Sequence, residues 1–453
     1  MPFSAERPVL IIGAGTGGLA LAHGLRGAGI PVQVFERDRH RTGGLQGYRV
    51  GISPNGVRSL RACLPATLFD TFVATTARDY RAFTMCTERF APLITFSSEH
   101  LMPTDDVIKD YSVSRMTLRQ VLLSGLDDVV AFDKRFVRYD DHGDRVTAFF
   151  EDGSSVTGAL LVGADGANSR IRKQYLPHAT QTETGMIAIG GKQALTDEVR
   201  DMLPPGARNA MSMFFDTRGQ LGILHPMEFP WRADRQLKDG IGDTDAELIR
   251  QWPGLLFDNT VDYVSWGVVV PRDLAPAGVL SMDGSQLQEV VVRDVMAGWH
   301  PTLLKLAEGS DPTTTFALGI RTSDPLDPWR PSRVTLLGDA IHTMTPGRGA
   351  GANTALRDAA LIRDKLVEVR DAGADLLAAI GDYEQRMRTY SAVAVRESLE
   401  FMDDDGRARR PIIGPLSRFG MRTALRITDR VPPLKRRLAM TMQRVRDSEL
   451  EPA

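Results

Sequence analysis

Val9-Leu10-Ile11-Ile12-Gly13-Ala14-Gly15-Thr16-Gly17-Gly18, followed by the apolar positions from Leu19 to Leu25, is the stretch on which the fold turns. Four apolar residues bounded by Pro8 and Gly13 read as a short buried strand, and the run after the glycines recurs at helical spacing until Gly27 and Gly29 stop it. Val32 to Phe35 reads as a second strand. Strand, glycine turn, helix and strand in this order make a βαβ unit, which requires a parallel sheet with helices on its faces. The fold class is α/β.

Outward from that unit, Val113, Met116, Leu118, Val121, Leu122 and Leu126 fit a helix beginning near Ser114. Val146 to Glu151 and Ser155 to Leu160 flank Asp152-Gly153 as a hairpin, and Leu160-Leu161-Val162 runs into Gly163 as another buried strand. From Thr184 to about Pro271 the texture changes: Met186 to Ile189, Ala210 to Phe215, Gln220 to Leu224 and Tyr263 to Val270 read as strands between Gly and Pro turns, the marks of an antiparallel sheet. Thr335-Leu336-Leu337 before Gly338 restores the glycine-terminated strand, and Asn353 to Val369 has helical spacing. The expected organisation is a parallel-sheet domain begun by residues 1–183, an antiparallel domain at 184–275, a return through that sheet to the first domain at 276–370, and a helical segment at 371–453.

The 453 residues, 42% hydrophobic and 25% charged, can bury a large core and suit two or three interleaved domains. Fifty-five Lys and Arg against 57 Asp and Glu leave a net charge of -2, which excludes a general affinity for nucleic acid. The two cysteines, Cys63 and Cys86, form neither a disulfide framework nor a metal-binding spacing, and no metal site is expected. Two thiols, no apolar run of about 18 residues and no signal-peptide layout place the expected location in the cytoplasm.

Gly13, Gly15 and Gly18 satisfy G-x-G-x-x-G at a strand-to-helix junction, with Thr16 in the turn. Gly13 permits the tight turn, Gly15 lets a pyrophosphate approach the backbone, and Gly18 lets helix and strand pack closely. Glu36 ends the second strand, where a carboxylate can accept hydrogen bonds from ribose hydroxyls. The motif predicts a bound dinucleotide and leaves FAD and NAD both open.

Two further motifs follow strands: Gly163-Ala164-Asp165-Gly166-Ala167-Asn168-Ser169-Arg170-Ile171-Arg172, and Gly338-Asp339-Ala340-Ile341-His342 continuing to Pro346-Gly347-Arg348-Gly349-Ala350-Gly351-Ala352-Asn353. With the first motif, over roughly residues 1 to 370, they resemble the class A, para-hydroxybenzoate hydroxylase-like, FAD-dependent monooxygenases. The resemblance implies one non-covalent FAD held by all three motifs, a Rossmann-like FAD-binding domain interleaved with a substrate domain, and contacts from Asp165, Gly166, Arg37, Arg49 and Arg115. Independently of it, Asp339 ends a buried strand, where its oxygens suit ribityl hydroxyls. Gly349, Ala350, Gly351, Ala352 and Asn353 open a helix on which a flat ring can rest. His342 reads as a packing or capping residue, and Arg348 departs from the glutamine common in the family.

The resemblance further implies that NADPH or NADH reduces the flavin, that O2 forms a C4a-hydroperoxide on it, and that one oxygen passes to a small organic substrate, aromatic, polyketide-like or terpenoid. The alternative is a cyclase of the same fold that keeps FAD as a structural element. Alternation places Met211, Met213 and Phe215 on one face of their strand and Leu221, Ile223 and His225 on one face of the next. These residues, with Tyr263 and Trp266, are candidates for the substrate pocket. His225 is the candidate to orient or deprotonate a hydroxyl, with Pro346 as a second catalytic candidate. From Gly406 to Arg446 the tail is basic, Arg407, Arg409, Arg410, Arg418, Arg422, Arg426, Arg430, Lys435, Arg436, Arg437, Arg444 and Arg446 against Asp429 alone. Docking on the acidic remainder of the chain is the favoured role for it, ahead of a membrane surface.

Overall fold

The computed structural model describes residues 3–41, 49–97, 109–230, 261–402 and 413–448. A five-stranded parallel sheet runs in the order Val334–Leu336, Leu160–Gly163, Val9–Ile12, Val32–Phe35 and Val130–Ala131. Every residue of the central strand is buried, as expected for a sheet covered on both faces. Full burial of each Val, Leu or Ile contributes about 1.5–3 kcal/mol. The register sets Ile12 against both Phe35 and Gly163, and Gly163 against Leu336, so four strands end level. The three glycine motifs therefore leave the sheet along one edge, the carboxyl edge at which open α/β sheets bind ligands.

The hairpin read from Asp152-Gly153 gains a third strand, Phe136–Asp141. A two-stranded ribbon of Arg49–Ile52 against Tyr111–Ser114 precedes it in the chain.

The second sheet has seven strands, ordered Phe316–Ser323, Gln181–Ala194, Tyr263–Pro271, Leu221–Met227, Ala210–Phe215, Ala82–Thr87 and Pro92–Ser97. Its neighbours are antiparallel except Ala82–Thr87, which pairs parallel with Ala210–Phe215. It thus draws strands from both sides of residues 184–275. One face buries Phe214, Leu224, Trp266 and Val268 against the helices Gly284–Val290 and Pro301–Glu308. The opposite face turns toward the carboxyl edge of the parallel sheet.

Three long helices complete the described chain: Leu376–Met402, Ile413–Arg430 and Pro432–Ser448. The second covers the edge strand Pro92–Ser97, where the Thr95 N–H donates to Asp429 at 3.2 Å and Arg422 reaches Glu88 at 2.5 Å. Among the described side chains of the tail, docking on acidic partners outside it accounts for Arg422 alone. Arg426, Arg430, Arg436 and Arg437 form no ion pair among the described residues, and Lys435 pairs within the tail with Asp429. Arg407, Arg409 and Arg410 lie outside the described residues, as do the side chains of Arg418, Arg444 and Arg446. Among the described residues no helix is long and apolar enough to cross a membrane.

Candidate active site

Gly13 has a φ of +111°, and a Cβ there would lie 2.3 Å from the Ala164 carbonyl oxygen. A Cβ on Gly18 would lie 2.2 Å from the Gly13 oxygen. Both contacts are with backbone, so any side chain would force the turn open. Gly15 differs, because nothing stands within 4 Å of its Cβ position. That open space is the junction of two cavities. The helix Thr16–Gly27 starts there with no side chain capping its first N–H groups, which leaves them and the positive end of its dipole for an anion.

The first cavity, about 590 Å³, runs from this junction between the two sheets. The second, about 490 Å³, runs from it along the end of the second strand. Gly15, Thr16, Arg115, Ala164 and Gly166 line both. Gly13, Glu36, Arg37 and Asp165 line the second, with Arg119 and Lys134, which the motifs did not reveal. Glu36 already accepts hydrogen bonds from the N–H groups of Ala14 at 2.7 Å and Asp38 at 3.0 Å. Arg119 lies 3.1 Å from Asp38 and 3.6 Å from Glu36. Its place one helical turn beyond Arg115 was the available signal for it.

Asp165 accepts from the N–H groups of Arg170 at 2.8 Å and Ile171 at 3.4 Å through Oδ2, while Oδ1 is buried without a partner. Burial pushes its carboxyl up from the usual carboxylate range, against these hydrogen bonds. Ser169 caps the short helix that follows, and Arg172 donates to the carbonyls of Ala340 at 2.9 Å and Ala167 at 3.0 Å. Arg172 latches the second glycine motif to the third, and Ser169 caps the helix that carries it.

In the third motif, Asp339 opens onto the first cavity. Withdrawal from bulk water pushes its carboxyl up, and the charges of His342 and Arg115 pull it down. His342 is more than a packing residue: Nε2 meets Asp358 Oδ2 at 2.6 Å, and the same carboxylate accepts from the Gly338 N–H at 2.8 Å and from the Tyr390 hydroxyl. Burial pulls the imidazole down, but the charge and hydrogen bond of Asp358 outweigh it and leave its titration above the ordinary histidine value. Arg348 is held by Glu397.

Gly349, Gly351, Ala352 and Pro346 line the first cavity at the start of the helix Ala350–Ala372, which also lacks a side-chain cap. Ala350 and Asn353 do not line it. Asn353 braces the ribbon instead, donating to the carbonyls of Gly51 at 2.9 Å and Gly349 at 3.1 Å and accepting from the Ser53 N–H at 2.9 Å.

Met213, Ile223 and His225 form the facing wall. Met213 stands opposite Ile223, and Ile223 opposite Gly267. Met211 and Phe215 share the face of Met213 but pack beyond the cavity with Leu425 and Leu438 of the terminal helices. Tyr263 lies off the cavity wall in a cluster with Met227 and Phe229. Trp266 is a correction: its indole points to the opposite face and donates to Ser310 at 2.7 Å, so only its backbone borders the cavity. Residues 263 and 266 differ by an odd number, and a strand cannot turn both side chains the same way. Phe316, Met344 and Met402 complete the wall. Met344 lies within the third motif, but no motif pointed to Phe316 or Met402.

His225 is 1% exposed, its Nδ1 has no partner, and the Tyr80 ring stands edge-on at 5.5 Å. Burial, and then the charge of Arg49, drive its imidazole well below the ordinary titration range, so it is neutral. Cys63 and Cys86 are buried, and burial raises both thiols to about 12, which leaves them unreactive.

A family model described as FAD binding domain matches residues 6–237 and 308–398, the two stretches that build the glycine motifs and much of the second sheet. The chain belongs to this FAD-binding, class A monooxygenase family. The dual O-methyltransferase/FAD-dependent monooxygenase CTB3 of Cercospora beticola is 32% identical over 85% of the chain, which spans 44% of that protein. The FAD-dependent urate hydroxylase of Klebsiella pneumoniae is 28% identical, with 83% of the chain and 84% of the relative aligned. The crystal structure of Klebsiella pneumoniae HpxO with FAD and uric acid superposes with a TM-score of 0.73 at 25% identity, covering 98% of this chain and 97% of that one. The chain spans less than half the length of the first curated relatives it matches.

Proposed function

We propose that the chain is an oxidoreductase, a FAD-dependent monooxygenase that uses NADPH or NADH and O2 to hydroxylate or epoxidise a small organic molecule, aromatic, polyketide-like or terpenoid. One observation carries this reading: a single cavity joins Asp339, Gly351 and Ala352 of the cofactor domain to Met213, Ile223 and His225 of the second sheet.

The residues present fit FAD. The uncapped helix start at Gly15 and the open space beside it suit the pyrophosphate, Glu36 and Arg37 line the arm that would take the ribose and adenine, and the orphaned Asp165 Oδ1 lacks a donor that a ligand can bring. Gly349, Gly351 and Ala352 would bring the N-terminal end of a second helix to the ring, where its dipole favours negative charge. When bound, the flavin supplies hydride acceptance from reduced nicotinamide and activation of O2.

The protein does the rest. Met213, Leu221, Ile223 and Phe316 give the space beside the cradle an apolar wall against which an apolar substrate body would displace water. Neutral His225 presents a ring nitrogen that can accept a proton from, or orient, a substrate hydroxyl. Pro346 borders the space at the turn before the second helix and fixes its backbone.

The experiment is aerobic NADPH oxidation by the FAD-loaded chain with a panel of hydroxylated aromatics. The reading expects at least one compound that accelerates NADPH use and gains one oxygen atom, derived from labelled O2. Acceleration without incorporation from any of them contradicts it.

A further inference from the structure

The helix Ile413–Arg430 has two faces with different surroundings. Arg422, Leu425 and Asp429, spaced i, i+3 and i+7, turn toward the second sheet: Arg422 meets Glu88, Asp429 accepts from the Thr95 N–H, and Leu425 packs in one cluster with Met211 and Phe215. The opposite stripe runs through Phe419, Thr423, Arg426, Ile427 and Arg430, at i, i+4, i+7, i+8 and i+11, and all five are exposed. Phe419 is 68% exposed and Ile427 53%. Arg426 and Arg430 stand beside them and form no ion pair among the described residues. The helix Pro432–Ser448 repeats the arrangement. Leu438 and Ala439 join the inner cluster, while Leu434, Arg436, Arg437 and Met440 are exposed. Both helices thus spend one face on the protein and keep a second that mixes large apolar side chains with unpaired guanidiniums.

An anionic bilayer surface matches both halves of that mixture, because lipid phosphates take the guanidiniums and the region just beneath them takes the apolar side chains. A second copy of the chain set face to face would bring arginine against arginine. A soluble polyanion would satisfy the arginines and leave Ile427, Leu434 and Met440 in water. We propose that the outer faces of these two helices dock the protein on an anionic lipid surface, lying on the bilayer rather than crossing it. Phe419 and Ile427 enter the interface, and Arg426 and Arg430 meet lipid phosphates. The inner faces of the same helices pack in the cluster that holds Met213 and Leu221 of the cavity wall, so docking holds the edge of the second sheet at the bilayer.

The inference does not depend on the reaction, and its test requires no turnover. The FAD-loaded full chain is sedimented at low salt with vesicles of phosphatidylcholine alone and of phosphatidylcholine mixed equally with phosphatidylglycerol. The chain should partition onto the mixed vesicles, bind phosphatidylcholine alone about tenfold more weakly, and leave the mixed vesicles as salt is raised. Arg426→Gln with Arg430→Gln should lower the partition coefficient on mixed vesicles on the order of tenfold or more, since each basic side chain at such a surface contributes a factor of about five. Phe419→Ser with Ile427→Ser should lower it by about tenfold with the charge unchanged. All four positions are exposed, so FAD content and the unfolding midpoint should match the wild type, which separates a docking defect from a folding one. Failure of the wild type to partition onto mixed vesicles, binding that ignores salt, or binding that either pair of substitutions leaves unchanged overturns the proposal. Sensitivity to the arginines alone, with an oligonucleotide bound as tightly as the vesicles, would assign the face to a soluble polyanion instead.

Discussion

Glu384 offers a perturbation whose size follows from its surroundings. It lies on the helix Leu376–Met402 behind the strand Val334–Leu336, which delivers Asp339 to the cavity. Oε1 accepts from the Thr335 hydroxyl at 2.9 Å, while Oε2 is buried without a partner. Burial pushes the carboxyl up from 4.5 to about 7, against the pull of the Thr335 hydrogen bond. A folded-state value above the unfolded one means that the native chain holds the proton more tightly. The carboxyl therefore costs nothing extra below pH 4.5, progressively destabilises the fold as pH rises from 4.5 to 7, and adds no further loss above that. The gap corresponds to about 3 kcal/mol. Glu384→Gln keeps an acceptor for Thr335 and removes the charge. Its stability should match the wild type near pH 4.5 and exceed it by up to about 3 kcal/mol at pH 8. Urea unfolding of both chains across this range, read as the difference between them, removes the titration of every other group. A difference that does not change with pH, or that falls as pH rises, would refute the reasoning.

Gly18→Ala drives a methyl toward the Gly13 carbonyl, 2.2 Å from its Cβ position, and should weaken FAD binding at least about tenfold by opening the turn; flavin-fluorescence titration checks it. Asp339→Ala should weaken FAD binding by about 1–3 kcal/mol, the loss of a hydrogen-bonding carboxylate, and an unchanged dissociation constant would remove Asp339 from the cradle. His225→Ala should leave FAD content intact while lowering coupled product formation about 10- to 100-fold, with hydrogen peroxide rising in its place, and equal yields from both enzymes would exclude a role in substrate handling.

The parallel sheet was legible because its signals are local. A β-branched run, a glycine whose positive φ is required at position 13, and helical spacing after it lie within one βαβ unit. The second sheet was legible only by halves. Ala210–Phe215 and Tyr263–Pro271 alternate clearly, but Ala82–Thr87 joins the sheet by parallel pairing with a strand far along the chain, which no local pattern encodes. Site residues followed the same division. Glycines and Asp339 sit in motifs. Asn353, within a motif, proved to be a brace because its three hydrogen bonds tie the ribbon to the helix. Arg49 and His225 lie on different sheets, and only the closing of one domain over the other brings the charge of one to bear on the other.

The central claim is that the cradle presents a redox-active flavin to the second sheet. Adding NADPH to the FAD-loaded chain without oxygen, then admitting air, tests it most directly. The account predicts that the oxidised-flavin absorbance is lost under NADPH or NADH, faster when a bound substrate is present, and returns with air. A flavin that stays oxidised under both nucleotides, with and without substrate, would contradict it and leave FAD as a structural element of the pocket.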